Sequence, residues 1–108
     1  MSDPRPALIG DIGGTNARFA LAGADGEPTR VRILATADYP GLAAAAQAYL
    51  DLEQPDPAPD RAAIAVASPV LGDRVSMTNR NWSFSISELR AALGLAALRV
   101  VNDFTAQA

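Results

Sequence analysis

Two short polar segments contain the residue types that could bind a phosphate and accept a proton. The first runs from Gly10 to Arg18 and reads GDIGGTNAR. Adjacent glycines let a backbone approach a phosphate closely, and the amides of a tight turn can form a small concave anion site. The candidate phosphate-facing residues are Gly10, Asp11, Ile12, Gly13, Gly14, Thr15 and Asn16.

The polar side chains of this first segment exceed what a turn requires. Asp11 is a candidate Mg²⁺ ligand, because Mg²⁺ prefers oxygen ligands and keeps several waters. Thr15 and Asn16 can donate hydrogen bonds to phosphate oxygens. The alternative is a plain β-hairpin with an aspartate beside its turn, and the glycine pair taken alone favours that alternative.

The second segment, Asn102 and Asp103, follows apolar residues that predict a buried strand. Open α/β sheets bind ligands at the carboxyl ends of their strands, so both side chains are expected at such an edge. Asp103 is a candidate general base for an attacking hydroxyl, which Asn102 could orient. The alternative for Asp103 is a helix N-cap, because Asp is common between a strand and a helix.

The residue types that the sequence lacks exclude several classes of active site within this chain. There is no His and no Cys, which excludes Ser-His-Asp and Cys-His nucleophile systems and zinc sites built on imidazole or thiolate. All nine basic residues are Arg. A P-loop needs its lysine, so that phosphate site is excluded together with Schiff-base chemistry.

Composition gives expectations about partners and location. The chain has 108 residues, of which 49% are hydrophobic, and a net charge of −3. One domain with its own core is expected, and the acidic, evenly spread charge predicts no nucleic-acid or anionic-membrane surface. No apolar run approaches the roughly 20 residues of a membrane span, and no secretory signal or disulfide framework is visible, so we expect a cytoplasmic protein.

The order of the predicted elements indicates an α/β domain with a mixed sheet. Alternating apolar residues, with turn signals at Gly13-Gly14 and Asp25-Gly26, predict an antiparallel meander. The segment 61–68 is apolar on both faces, which predicts a buried central strand. The predicted elements are strands 7–13, 15–23 and 29–36, a helix at 41–53, strands 61–68 and 74–78, a helix at 86–93 and a strand at 98–102.

Two further features lie in the second half of the sequence. Ser85 and Glu88 form a capping-box pattern at the start of the helix 86–93. The polar loop 76–83 surrounds Trp82, the only Trp in the chain. Such a loop could close over a sugar, but we favour the alternative of a solvated loop with Trp82 folded into the core.

These segments, in this order, resemble the bacterial glucokinase family of the actin, sugar-kinase and Hsp70 superfamily. Residues 10–18 are similar to the first phosphate motif of that family, and residues 102–106 are similar to the segment with its catalytic Asp. Between them, residues 38–40 are similar to the segment before the first helix of that family, and residues 64–67 with Pro69 and 72–73 to its following strand and turn. Residues 77–79, Trp82 and residues 84–86 are similar to its sugar-side loop. The resemblance is closer to this family than to the repressor-type sugar kinases.

The resemblance implies a fold and a reaction. The fold is a ribonuclease-H-like or actin-like ATPase small domain, an α/β domain with a mixed sheet, an antiparallel meander and flanking helices. The reaction is the glycolytic phosphorylation of glucose to glucose 6-phosphate by ATP with Mg²⁺. Asp103 would act as general base and bind the sugar with Asn102, residues 10–16 would face the ATP phosphates, and Asp11 would hold Mg²⁺.

The same resemblance implies that residues 1–108 are the amino-terminal small lobe of a two-lobed kinase, without its larger carboxyl-terminal lobe. The isolated chain is therefore expected to be inactive, and the full-length protein to be a homo-oligomer. Two alternatives stay open: a non-catalytic sugar- or nucleotide-binding module, and a kinase for another hexose. The presence of both Asp11 and Asp103 argues against a pure binding module.

Overall fold

The computed structural model describes residues 5–23, 26–68, 70–77 and 82–102. Three strands precede the first helix, four strands separate it from the second, and one strand follows, with a short 3-10 segment at Thr36–Asp38. In chain order they are β1 (Ala7–Ile12), β2 (Asn16–Ala22), β3 (Pro28–Ala35), α1 (Leu42–Glu53), β4 (Arg61–Val66), β5 (Val70–Leu71), β6 (Arg74–Ser76), β7 (Ser83–Ser85), α2 (Ile86–Ala92) and β8 (Ala97–Asn102).

A five-stranded sheet with the strand order β3-β2-β1-β4-β8 forms the centre of the domain. Strands β1, β2 and β3 pair antiparallel, whereas β4 pairs parallel to both β1 and β8. The predicted mixed sheet, its meander and the central place of the fourth strand are therefore confirmed. The parallel strands bring the carboxyl ends of β1, β4 and β8 to one edge of the sheet.

One face of this sheet, which we call the inner face, packs against α1 in a single apolar core. Helix α1, predicted at 41–53, contributes an apolar stripe in which Leu42 and Tyr49 are fully buried. The Tyr49 ring stacks on Phe19 with centroids 5.5 Å apart, and its hydroxyl donates to the Arg30 carbonyl at 2.6 Å. The inner-face residues of the strands include Leu8, Ile12, Ala17, Phe19, Leu21, Ala62, Ile64 and Val66.

The opposite, outer face carries exposed apolar side chains. Val31 is 44% exposed, Ile33 62% and Val101 38%. Ala63 in the middle of β4 is also exposed, so the prediction that this strand is buried on both faces is wrong. The reason is that the buried residues of both described helices belong to the core on the inner face, which leaves the outer face uncovered within the described part of the chain.

Strand β3 has the predicted alternation, but its arginine-bearing face is the one that turns to α1. Arg32 forms an ion pair with Glu53 near the end of that helix, and a guanidinium nitrogen of Arg30 donates to the Glu53 carbonyl at 3.1 Å. Cations are favourable at the carboxyl end of a helix, where carbonyl groups lack partners. The helix therefore meets the long arginine side chains, and Val31 and Ile33 remain on the outer face.

The short strands β5, β6 and β7 form a second, three-stranded sheet that leads into α2. The Ser85 hydroxyl accepts from the Glu88 amide at 3.2 Å, which confirms the predicted cap. Asp73, in the turn before β6, also binds to the start of α2. Its carboxylate accepts hydrogen bonds from the Ser85 hydroxyl and from the amide and hydroxyl of Ser87. These hydrogen bonds lower the pKa of Asp73 below its ordinary value of 3.8.

Trp82 lies in the core, with 5% of its surface exposed. Its indole N–H donates to the Tyr39 carbonyl at 3.1 Å, and its carbonyl accepts from the Met77 amide at 2.8 Å. The core interpretation of Trp82 is therefore confirmed. As α1 has 12 residues and α2 has 7, no helix in the described ranges has the length and apolar character needed to cross a membrane.

Candidate functional site

The turn between β1 and β2 is a tight hairpin built on the glycine pair. The Gly13 amide donates to the Asn16 carbonyl at 2.9 Å and closes the turn around Gly14 and Thr15. Thr15 and Asn16 are exposed. We call residues 13–16 the glycine hairpin and residues 14–15 its tip. The side chains of Thr15 and Asn16 lie at the surface.

Thr36, at the end of β3, contacts the glycine hairpin from its buried side. Its hydroxyl lies 2.9 Å from the Gly14 carbonyl and 3.0 Å from the Thr15 carbonyl, and its amide donates to the Thr15 carbonyl at 2.9 Å. With 1% of its surface exposed, Thr36 is one of the few buried polar residues described. The sequence gives no sign of this contact, since Thr36 is more than 20 positions away.

Asp11 and Arg18 face each other across β1 and β2, directly next to the glycine hairpin. Both border a groove of about 420 Å³ that the hairpin and Ile33 also line. Opposite charges in directly opposed positions of an antiparallel pair attract each other. The groove therefore offers one carboxylate, one guanidinium and the polar groups of the hairpin. The sequence pattern alone gives Arg18 no role. However, Asp11 lies two residues before the glycine hairpin and Arg18 two residues after it, and this equal spacing predicts that they face each other.

Gly10 and Ile12 belong to the same strand as Asp11, but they point to the inner face. Ile12 is fully buried. A Cβ on Gly10 would lie 2.7 Å from Cδ1 of Ile64 and 3.4 Å from the Phe19 ring. Gly10 thus lets the Ile64 and Phe19 side chains pack over the strand. Any contact between Ile12 and a phosphate would have to involve its backbone.

Asn102 ends β8 at the same edge of the sheet as the glycine hairpin. The register aligns Ile12, Val66 and Asn102 in one row across β1, β4 and β8. Neighbouring strands lie about 4.8 Å apart, so β1 and β8 are about 10 Å apart at this row. Asn102 is partly buried. Asp103, the predicted base, lies outside the described residues, as do residues 78–81 of the predicted sugar-side loop.

Asp11 is the candidate metal ligand in this groove. Its carboxylate is exposed at the end of β1, and the described ranges contain no cluster of three or more acidic, His or Cys residues that could form a complete protein cage. One carboxylate in a water-accessible groove fits Mg²⁺, which is commonly held by one or two carboxylates plus waters and phosphate oxygens. The donor set fits zinc poorly, since zinc favours His and Cys.

Comparison with known proteins identifies relatives over nearly the whole chain. Residues 8–108 match the family model described as Glucokinase. The chain is 58% identical over 108 residues to a glucokinase from Aromatoleum aromaticum, covering 99% of this chain and 33% of that protein. It is 54% identical over 101 residues to a glucokinase from Paramagnetospirillum magneticum, covering 94% of this chain and 32% of that protein.

The fold is similar to that of a crystal structure of a glucokinase from an Antarctic psychrotroph. The TM-score is 0.85 at 39% identity, covering 95% of this chain and 34% of that one. The chain thus spans about a third of the length of these relatives. The similarity confirms the predicted actin-like fold class. With a family model matched over residues 8–108, the chain belongs to the glucokinase family.

Proposed function

We propose that the full-length protein transfers a phosphoryl group from ATP to the 6-hydroxyl of glucose, and that this chain contributes one wall of its active site. The observation that carries the proposal is the shared sheet edge. The glycine hairpin follows Ile12 and Asp103 follows Asn102, and Ile12 and Asn102 lie in one row about 10 Å apart. A phosphate-binding turn and a proton acceptor that follow neighbouring positions of one sheet edge in the sequence suit phosphoryl transfer.

On the phosphate side, the glycine hairpin would bind oxygens of ATP through its amides and through the side chains of Thr15 and Asn16. Arg18 supplies a guanidinium from the neighbouring strand, which matches phosphate geometry well. Asp11 would hold Mg²⁺ directly or through water, and the bound ion would neutralise charge on the transferred phosphate. Phosphoryl transfer depends mostly on such positioning and electrostatics.

On the acceptor side, Asp103 would accept the proton of the sugar hydroxyl and Asn102 would bind the sugar. A positioned base contributes about 10²–10⁴-fold to a rate. The carboxyl edge of parallel strands is where open α/β sheets bind their ligands, which supports this assignment. Resemblance to the family supports glucose as the sugar.

We further propose that residues 1–108 form the amino-terminal small lobe of a two-lobed kinase. The match to about a third of each relative supports this division. A larger carboxyl-terminal lobe would provide the remaining ligands for ATP and sugar, so the chain alone should be inactive. We expect the full-length protein to be cytoplasmic and homo-oligomeric.

The reaction is tested by measuring glucose-dependent ADP release from the full-length protein and its Asp103→Asn variant. We expect turnover of the variant to fall by about 10²–10⁴-fold with little change in glucose binding. Asp51→Asn, the same change on an exposed residue of α1, is the matched control. Turnover by Asp103→Asn equal to that of the wild type would rule out Asp103 as the base.

The alternatives give different results in the same assay. A binding module would bind glucose or ATP in equilibrium dialysis without releasing ADP. A kinase for another hexose would release ADP faster with fructose or mannose than with glucose. ADP release at ordinary sugar-kinase rates by the isolated 1–108 chain would contradict the two-lobe proposal.

A further inference from the structure

The glycine hairpin needs support from outside its own sequence. Glycine loses more conformational freedom than other residues when it is ordered, and the hairpin contains two adjacent glycines. The hydrogen bond from the Gly13 amide to the Asn16 carbonyl closes the turn, but it does not fix how the tip is oriented relative to the sheet. A phosphate site works best when its amides are oriented before the ligand binds.

Thr36 provides that support through two successive carbonyls of the tip. Its hydroxyl lies within 3.0 Å of the carbonyls of both Gly14 and Thr15, and its amide bonds to the second. A hydroxyl has a single proton, so the side chain shares one donor between two acceptors. Because Thr36 is buried, water competes weakly for these bonds.

These contacts determine which way the amides of the tip point. A trans peptide group is planar, so its C=O and N–H point in opposite directions. Since the carbonyls of Gly14 and Thr15 point to Thr36, the amides of Thr15 and Asn16 in the same peptide groups point away from the buried side. Thr15 and Asn16 are exposed and line the groove with Asp11 and Arg18.

Thr36 is itself held by the core. It begins the 3-10 segment, in which its carbonyl accepts from the Tyr39 amide at 3.3 Å. The Tyr39 carbonyl in turn accepts from the indole N–H of the buried Trp82. The hairpin tip is thus connected through Thr36 to the buried core of the domain, although it lies at the surface.

We propose that Thr36 is a positioning residue that preorders the glycine hairpin for the phosphates of ATP. This inference rests on the proposed function and adds a residue that does not touch the substrate. Its consequence is selective: loss of the hydroxyl should weaken the nucleotide side of the site and leave the sugar side unchanged.

The test compares Thr36→Val and Thr36→Ser in the full-length protein. Valine has nearly the shape of threonine but lacks the hydroxyl, so we expect KM and Kd for ATP to rise about tenfold. KM for glucose should stay within about twofold, and Thr36→Ser, which keeps the donor, should restore ATP binding to within about threefold of the wild type.

Thr29→Val is the matched control. The Thr29 hydroxyl also donates to a backbone carbonyl of β2, that of Leu21 at 3.1 Å, but at the end of the β2–β3 pair that is remote from the hairpin. We expect this variant to keep the ATP affinity of the wild type.

Three outcomes would overturn the role of Thr36. One is an unchanged ATP affinity in Thr36→Val, even if the variant melts at a lower temperature. Another is a parallel rise of KM for ATP and glucose. The third is a Thr36→Ser variant as weak as Thr36→Val. If the valine variant does not fold, Thr36→Ala, which also lacks the hydroxyl, takes its place and should show the same loss of ATP affinity.

The proposed function is judged separately, on the wild type. If the wild-type protein binds ATP but does not phosphorylate glucose, the reaction is wrong, and the ATP dissociation constants of the variants still test Thr36. Failure of the wild-type protein to bind ATP would contradict both proposals.

Discussion

The two faces of the central sheet are built from the same strands but have different roles. On the inner face, Leu8, Phe19 and Ile64 are buried against α1. On the outer face, Asp11 and Arg18 border the candidate groove, and Ile33 beside them is mostly exposed. Neighbouring residues of a strand point to opposite faces. Asp11 therefore points to the groove, whereas Gly10 and Ile12 on either side of it in the strand face the core.

This difference separates the face of the sheet that packs the core from the face that carries exposed polar groups. The inner face fixes the strands in place through packing, and the outer face and the carboxyl edge can then hold polar groups that add little to stability. If this separation holds, substitutions on the inner face should change folding, and substitutions on the outer face should change activity alone.

Phe19→Ala should cause the largest loss of stability. The ring is fully buried and stacks on Tyr49, and removing a buried aromatic ring typically costs about 3–5 kcal/mol. Urea denaturation of the full-length protein measures the change. Val31→Ala on the outer face, where Val31 is 44% exposed, is the control and should cost less than about 1 kcal/mol. Equal losses for the two variants would contradict the distinction between the faces.

Asp11→Asn should affect activity far more than stability. If Asp11 holds Mg²⁺ at the ATP phosphates, we expect kcat/KM for ATP to fall about 10²-fold. The free energy of unfolding should change by less than about 0.5 kcal/mol, as is usual for an exposed position. Steady-state kinetics over a range of Mg²⁺ concentrations give the first value, with Asp51→Asn as control. An unchanged Mg²⁺ dependence would remove Asp11 as a metal ligand.

Tyr49→Phe should give a smaller loss, with a distinct pH dependence. The variant loses the hydrogen bond to the Arg30 carbonyl, which is worth about 1 kcal/mol. Burial raises the pKa of the Tyr49 hydroxyl from 10.0 to about 12. The folded state therefore keeps the proton longer than the unfolded state, and this contribution is complete below pH 10 and is lost as the pH rises toward 12.

Denaturation at pH 8 to 11 measures that dependence. Tyr49→Phe should lose less stability between pH 10 and 11 than the wild type does. The same slope in both proteins would show that Tyr49 does not titrate as its burial implies.

Ile33→Ser should have the smallest effect, because its side chain is 62% exposed at the edge of the groove. In the isolated 1–108 chain we expect a change within about 0.5 kcal/mol. The same substitution in the full-length protein tests whether this side chain is covered there. A loss clearly above that value there would mean that further polypeptide packs on the outer face, as is usual for sheets with parallel strands.

Local patterns predicted much of this fold. The alternation at the start of β2, the helix α1 and the Ser85 cap each depend on residues close in sequence, and they appear as predicted. Strands β5 and β7, at two and three residues, were not predicted. They are too short for an alternation to be recognised, and they exist only because β6 pairs with both.

The candidate site divides in the same way. The type and order of residues 10–18 and 102–103 named candidate phosphate-binding, metal-binding and base residues, because a glycine turn, a carboxylate and a strand end are local features. That Asn102 shares a row with Ile12 depends on strand pairings between distant segments. Sequence alone therefore named candidates but could not measure the distance between them.

The turn, the polar groups beside it and the family to which they point follow from short stretches of sequence, since each is encoded within a few residues. Which face of the sheet is buried depends on the folded chain, because it is set by where α1 and α2 pack. The contact of Thr36 with the glycine hairpin, across more than 20 positions, likewise exists only after folding. A buried hydroxyl must find an acceptor, and only the folded chain determines which carbonyl is within reach.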